Sequence, residues 1–294
     1  MKNILKVRML GGFTLEYKGK ELVLDRNNVS KTTQLFQLLL LHTQDGGISK
    51  AALIDALYGR SDVENKNGSL NNTIFRLRKQ LTAAGLPESS YININGGMCT
   101  WDPDIETSVD VCDFKQTIES ARHEKSQKTK MEIYAKAWKL YTGEFLPDMM
   151  GEDWAAVENI ACRDMYFDCV EELCHYLKTE EKFEELYRVA HSAAEIYPFY
   201  DWQIWEIDSL IGMSRYKDGL DVYKKNNQAD VRRTRPVTIR RNARAIQTYG
   251  RANLTGSRRN RRHQVPPPRK KNPSKALTTA PIQALWTFTT CSAA

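Results

Sequence analysis

The N-terminal region alternates between apolar and polar residues, a pattern that predicts β-structure. Over residues 4–24 apolar side chains recur at every second position, with glycines between the runs, so we expect a small antiparallel sheet. Two amphipathic helices follow, over Lys31–His42 and Lys50–Tyr58. Ser30 and Ser49 stand directly before them, where a side-chain oxygen can accept a hydrogen bond from a free backbone N–H. The sequence therefore predicts a sheet followed by two short helices.

A third amphipathic helix is predicted over residues 68–84. Its apolar positions recur at helical spacing and form one stripe, which consists of Leu70, Ile74, Leu77 and Leu81. Asn67 or Ser69 can cap its start, and Gly85 ends it. The polar side chains expected to project away from that stripe are Asn72, Thr73, Arg76, Arg78, Lys79 and Gln80. Alone, such a helix is either a solvated surface helix or one that binds a polyanion.

Two short alternating runs follow the third helix, over residues 91–101. They flank Gly96 and Gly97, and this arrangement predicts a β-hairpin. A sheet, three helices and a hairpin make a winged helix-turn-helix, in which the third helix lies in the DNA major groove and the hairpin touches the flanking backbone. Residues 1–103 are therefore predicted to form an α+β winged helix-turn-helix domain that binds double-stranded DNA.

The third helix also carries a motif of a known family. Ile74-Phe-Arg-Leu-Arg-Lys-Gln-Leu81 resembles the Ile-x-Arg-Leu-Arg-x-x-Leu pattern in the recognition helix of OmpR-type DNA-binding domains. The wing departs from that family, because Met98 stands where many members have an aromatic residue and Asn93 and Asn95 stand in place of arginine. The resemblance implies promoter binding, and the two asparagines predict a wing that holds phosphates weakly.

Beyond a short polar linker over residues 102–108, the pattern is helical up to residue 223. Small residues on one predicted helix are followed by aromatic residues on the next, which is typical of an all-α tetratricopeptide-like domain. Asp110-Val-Cys-Asp-Phe114 and Tyr141-Thr-Gly-Glu-Phe-Leu-Pro147 resemble the bacterial transcriptional activation domain, which follows an OmpR-type winged helix in the Streptomyces antibiotic regulatory protein (SARP) family. The resemblance implies a transcriptional activator that binds promoter repeats and contacts RNA polymerase, and it leaves open a homodimer on DNA.

Charge is distributed unevenly along the chain. Residues 1–108 carry 13 Lys and Arg against 11 Asp and Glu, residues 109–223 carry 13 against 24, and residues 224–294 carry 17 against 1. The net charge of +7 therefore belongs to the C-terminal tail and is no argument for DNA binding by the rest.

The tail, residues 224–294, is rich in Arg, Pro, Ser and Thr and has no sustained apolar period. Such a composition predicts disorder. The segment is either a basic tail that adds non-specific phosphate affinity or the product of a reading frame lost near Tyr223. The abrupt break within the last predicted helix favours the lost frame.

The candidates for DNA contact come mainly from the third helix. Arg76 and Asn72 are predicted to contact base edges, with Thr73 as a third contact. Arg78 and Lys79 are predicted to hold phosphates, although Arg78 fits a salt bridge within the domain about as well. Two further phosphate candidates are Lys31 and Asn95.

Other classes of protein receive little support from the sequence. No catalytic or cofactor motif is visible, and the six cysteines lack the paired spacing of a metal site, so we expect no enzyme, cofactor or metal. No signal peptide is visible and the densest apolar run, around Leu35–Leu41, is too short for a membrane span, so we expect a cytoplasmic protein. The alternative to a regulator is a helical-repeat module that binds proteins or senses ligands and whose winged helix binds no DNA.

Overall fold

The structure is a computed structural model that describes residues 4–24 and 29–230, with side chains described up to residue 225. The strands in chain order are β1 (Leu5–Arg8), β2 (Thr14–Tyr17), β3 (Lys20–Leu22), β4 (Ile48–Ser49), β5 (Ile92–Asn95), β6 (Met98–Trp101) and β7 (Thr107–Val109). The α-helices are α1 (Lys31–Leu41), α2 (Lys50–Tyr58), α3 (Lys66–Ala83), α4 (Asp110–His123), α5 (Gln127–Leu140), α6 (Asp153–Thr179), α7 (Phe183–Ile196), α8 (Gln203–Gly212) and α9 (Tyr216–Asp230). A 3₁₀ turn over Pro147–Met149 lies between α5 and α6.

The N-terminal sheet has the strand order β3-β2-β1-β7. The antiparallel pairing of β1 with β2 and of β2 with β3 confirms the sheet predicted for residues 4–24. The prediction of a polar linker over residues 102–108 is wrong for its last two residues, which belong to β7. This strand pairs in parallel with β1 and places Val109 opposite Val7. The strand satisfies the backbone groups on the otherwise open edge of β1, and it begins where the backbone N–H of Leu5 donates to the carbonyl of Glu106 at 2.9 Å.

The first three helices and the hairpin confirm the winged helix. Ser30 caps α1 by accepting from the backbone N–H of Thr33 at 3.2 Å, and Ser49 caps α2 by accepting from that of Ala52 at 3.1 Å. The hairpin of β5 and β6 forms the wing, and the short strand β4 adds to it in the order β4-β6-β5. We call the part from β1 to β7 the winged-helix domain.

The part from α4 to α9, called the helical domain, stacks each helix against the next in the chain. Aromatic side chains fill its centre: the rings of Tyr141 and Tyr166 stack at 4.1 Å, and the hydroxyls of Tyr141 and Tyr197 are 2.6 Å apart. The boundary predicted between the helical domain and the tail at residue 224 is wrong. The helix α9 continues through Tyr223 to Asp230, and no proline or glycine interrupts it after Tyr223. The predicted disorder of residues 231–294 lies outside the described residues.

The two motifs that resemble an activation domain meet at the end of β1. The carboxylate of Asp110 accepts from the backbone N–H groups of Met9 at 2.7 Å and Leu10 at 3.0 Å. A Cβ on Gly143 would lie 2.8 Å from the Cα of Gly11, so this close approach of two chain segments requires glycine. The motifs thereby fix the helical domain against the winged-helix domain.

Candidate nucleic-acid interface

The helix α3 is held in place by its apolar stripe and by its two ends. The buried residues of the stripe are Leu70, Ile74, Leu77 and Leu81, as predicted. The side chain of Asn65 caps the start by accepting from the backbone N–H of Gly68 at 2.8 Å, so the predicted caps Asn67 and Ser69 are wrong. At the other end Gly85 has φ +97°, a conformation that glycine adopts readily, and it ends the helix as predicted.

Four side chains at helical spacing form the outer face of α3, on the side away from the stripe. This outer face consists of Asn72, Phe75, Arg76 and Lys79, all of them exposed. It holds the two predicted base contacts, Arg76 and Asn72, one turn apart, with the predicted phosphate contact Lys79 one turn further along. Arginine and asparagine side chains can pair with the major-groove edges of guanine and adenine. Their roles in DNA contact stay predictions.

The exposed position expected for Thr73 is wrong. Its side chain is buried, and its hydroxyl lies 2.6 Å from the hydroxyl of Tyr58 and donates to the carbonyl oxygen of Ser69 at 3.0 Å. These bonds satisfy a buried polar group and tie α3 to the end of α2. Thr73 therefore holds the helix in position and does not reach a base.

Arg78 is also engaged inside the domain. Its Nε donates to the carbonyl oxygen of Ser90 at 3.0 Å, and its Nη2 donates to that of Ile92 at 2.8 Å. Both carbonyls belong to the chain that enters the wing, so the guanidinium fixes the wing relative to α3. The structure therefore supports neither of the roles predicted for Arg78. Its observed partners are backbone carbonyls, and they are neither the expected phosphate nor the acid of the alternative salt bridge.

The tip of the wing carries Asn95. Gly96 and Gly97 follow it with φ +56° and +81°, as a tight hairpin turn requires, and the Asn95 side chain is exposed. Asn93 is engaged instead, because its Oδ1 accepts from the hydroxyl of Ser90 at 2.8 Å. Asn95 is thus placed where a wing residue could meet a phosphate, and its role stays a prediction.

Lys31 lies at the start of α1, but it faces the helical domain. Its Nζ is 3.0 Å from Oε1 of Gln34 and 3.1 Å from Oε1 of Glu152, which precedes α6. Arg60 makes a similar contact to the carboxylate of Asp153 in the next position. The structure therefore does not support the phosphate role predicted for Lys31. The lysine joins the two domains, and the carboxylate of Glu152 balances its charge.

All the charged residues of α3 are basic. Its sequence, KNGSLNNTIFRLRKQLTA, contains two lysines and two arginines and no acidic residue. Such a helix carries a net positive charge, which attracts a polyanion. The helical domain, by contrast, carries the excess of acidic residues found over residues 109–223. Two of the basic side chains of α3, Arg76 and Lys79, are exposed on the outer face.

Open grooves lie beside α5 in the part of the chain that the structure describes. One, of about 810 Å³, lies between α5, α7 and the Gly11 region. Another, of about 300 Å³, lies between α5, α6 and α7. Trp138 lines both, and its indole Nε1 is buried without a hydrogen-bond partner.

The described residues offer little support for a metal site, a reactive cysteine or a membrane span. No group of three or more His, Cys, Asp or Glu among residues 4–24 and 29–230 could hold a metal ion. Burial raises the pKa of the Cys112 and Cys174 thiols to about 12, which keeps both protonated at neutral pH. Within the same residues, no helix is both long enough and apolar enough to cross a membrane.

Comparison with known proteins gives a likeness of fold. No protein-family model matches the chain, and no curated protein matches its sequence. A solved structure of Mycobacterium tuberculosis EmbR in complex with a low-affinity phosphopeptide is similar with a TM-score of 0.55 at 13% sequence identity. The match covers 86% of this chain and 71% of that chain. The chain thus shares with EmbR the combination of an α+β N-terminal part and a helical remainder.

Proposed function

We propose that this protein is a sequence-specific, DNA-binding transcriptional regulator of the SARP type that acts as an activator. The observation that carries the proposal is the outer face of α3, where Asn72, Arg76 and Lys79 are exposed on a helix without acidic residues. That helix is the third of a winged helix, the element that enters the major groove in this fold. The fold shared with EmbR supports the same architecture.

The outer face of α3 suits a division of labour on double-stranded promoter DNA. Arg76 can donate two hydrogen bonds to one guanine, and Asn72 can pair with an adjacent adenine. Lys79 and the wing residue Asn95 would contact phosphates, which set the register of the protein on the duplex without reading its sequence. Arg78 would act indirectly, because it holds the wing at a fixed distance from α3.

The helical domain would supply the contacts with RNA polymerase. Asp110, Gly143 and Glu152 each tie it to the winged-helix domain through contacts given above. Because these contacts come from separate segments, the helical domain is held in one orientation relative to α3. A regulator built in this way would present the same surface to the polymerase at every promoter it binds.

The test compares Arg76→Ala with Lys79→Ala in the full chain. We expect Arg76→Ala to weaken binding by about 1–3 kcal/mol and to relax specificity at one base pair. Lys79→Ala, the matched control, should weaken binding about equally on all sequences and lower the salt dependence by about one phosphate contact. Binding is measured on a duplex enriched from a randomised pool and on a scrambled one. An equal loss on both duplexes for Arg76→Ala would show that it contacts the backbone only.

One observation favours a second function. The grooves of about 810 and 300 Å³ in the helical domain could receive a ligand or a peptide, in a module whose winged helix binds no DNA. Salt dependence separates the two functions. A DNA-binding regulator loses affinity steeply as salt rises, whereas the interaction module selects no duplex at any salt concentration.

A further inference from the structure

Phe75 is an exposed phenylalanine in the middle of the polar outer face of α3. Its side chain remains 56% exposed, between Asn72 and Lys79 in the direction of the helix axis and next to Arg76. The apolar stripe that anchors α3 lies on the opposite side, so packing within the domain does not explain the residue. An aromatic ring kept in water on a proposed binding face points to an apolar feature in what that face binds.

The ring is also held in position. The Nζ of Lys79 lies 4.5 Å from the centre of the Phe75 ring, within the range of a cation–π interaction. The contact spans one helical turn and limits the motion of both side chains. The lysine, which is the phosphate candidate of this face, therefore lies beside the aromatic ring.

The DNA major groove offers one apolar group at base edges, the 5-methyl group of thymine. We propose that Phe75 reads a thymine through this methyl group, at a base pair next to the one contacted by Arg76. The inference rests on the proposed function and deepens it, because it assigns to the outer face of α3 an apolar contact that hydrogen-bonding side chains cannot make. It predicts that the preferred site contains a thymine at a fixed position.

The experiment removes the methyl group and nothing else. A duplex is enriched from a randomised pool by the full chain, and each thymidine in it is then replaced singly by deoxyuridine, which keeps every hydrogen-bonding group. We expect replacement at one position in each bound half-site to weaken binding about fourfold, the effect of losing one buried methyl group. Phe75→Ala should bind the thymidine duplex more weakly and should lose the difference between thymidine and deoxyuridine at that position.

Two further variants control for trivial effects. Phe199→Ala removes another exposed phenylalanine, 78% exposed on the helical domain, and should keep the full sensitivity to deoxyuridine. Phe75→Leu keeps an apolar side chain and should retain part of it. Because Phe75 is exposed, the melting temperature of Phe75→Ala should stay close to that of the wild type, which shows that the variant folds.

The outcomes separate the inference from the proposed function. If the full chain enriches a duplex but tolerates deoxyuridine at every position, thymine reading is refuted while DNA binding stands. The same conclusion follows if Phe75→Ala keeps the sensitivity. If the full chain enriches no duplex, the proposed function fails and the inference fails with it; the exposed ring would then belong to a protein contact.

Discussion

Replacing Arg78 with alanine should destabilise the protein, although the residue lies on the helix proposed to bind DNA. The change removes two hydrogen bonds from a charged donor, at 3.0 Å to Ser90 and 2.8 Å to Ile92. Such bonds contribute about 1.5–3 kcal/mol each when well buried. Because the guanidinium is only half-buried, we reduce the total to about 2 kcal/mol. For a structured unit of this size, that loss corresponds to a melting temperature lower by about 4–8 °C.

The matched control is Arg76→Ala, two residues away on the same helix. Arg76 is exposed, and its removal should change the unfolding free energy by less than about 0.5 kcal/mol. The assay is thermal and urea unfolding of both full-length variants, followed by circular dichroism. In DNA binding the order is reversed: Arg76→Ala should have the larger effect, because it should relax sequence specificity. If Arg78→Ala proves as stable as Arg76→Ala, the guanidinium does not fix the wing and the phosphate role predicted from the sequence returns.

Two further predictions concern buried polar groups. Thr73→Val should cost about 1–2 kcal/mol of stability in urea unfolding, because it leaves the hydroxyl of Tyr58 without its nearest partner; an unchanged midpoint would contradict the buried position. Burial raises the pKa of Asp110 to about 6, against the backbone N–H groups of Leu10, Met9 and Val111, which lower it. The folded state therefore takes up a proton at higher pH than the unfolded state, and this contribution to stability is lost as pH rises through 6. Between pH 7 and pH 5 the unfolding free energy of the wild type should rise by about 1 kcal/mol relative to Asp110→Asn; parallel pH profiles of the two proteins would contradict this.

The helices and the hairpin could be predicted because their signals are local. The serine caps of α1 and α2 and the apolar period of α3 each lie within a few residues of the element they define. The strand β7 could not be predicted in the same way. It is three residues long, and its partner β1 lies about a hundred residues earlier in the chain. The residues near Thr107–Val109 therefore contain no local pattern that predicts the pairing.

The predictions for Thr73, Arg78 and Lys31 are wrong for two different physical reasons. Thr73 stands three residues after Leu70 and four before Leu77, so helical spacing alone places it beside the apolar stripe, and only its polar character suggested exposure. Arg78 and Lys31 could not be resolved from the sequence, because their partners come from other elements. The carbonyls of the wing engage the first, and Glu152 of the helical domain engages the second.

Phe75 was missed for the opposite reason. It lies between residues of the Ile-x-Arg-Leu-Arg pattern, at a position where the pattern accepts any residue, and a search for polar contacts passes over it. The signal was nevertheless present, because Phe75 falls between Asn72 and Lys79 at helical spacing and outside the apolar stripe. An apolar residue on the polar side of an amphipathic helix is informative when the rest of that side is proposed to bind a ligand.

The measurement that tests the central claim most directly is the affinity of the full chain and of Arg76→Ala for an enriched duplex and a scrambled one, across a salt series. Both proteins contain the same tail, whose 17 Lys and Arg over residues 224–294 would attract every duplex equally, so the difference between them reports on α3. We expect the wild type to prefer the enriched duplex at every salt concentration and Arg76→Ala to lose about 1–3 kcal/mol of that preference. Equal affinity of the wild type for both duplexes, with the same salt slope, would show that the tail alone had been holding DNA.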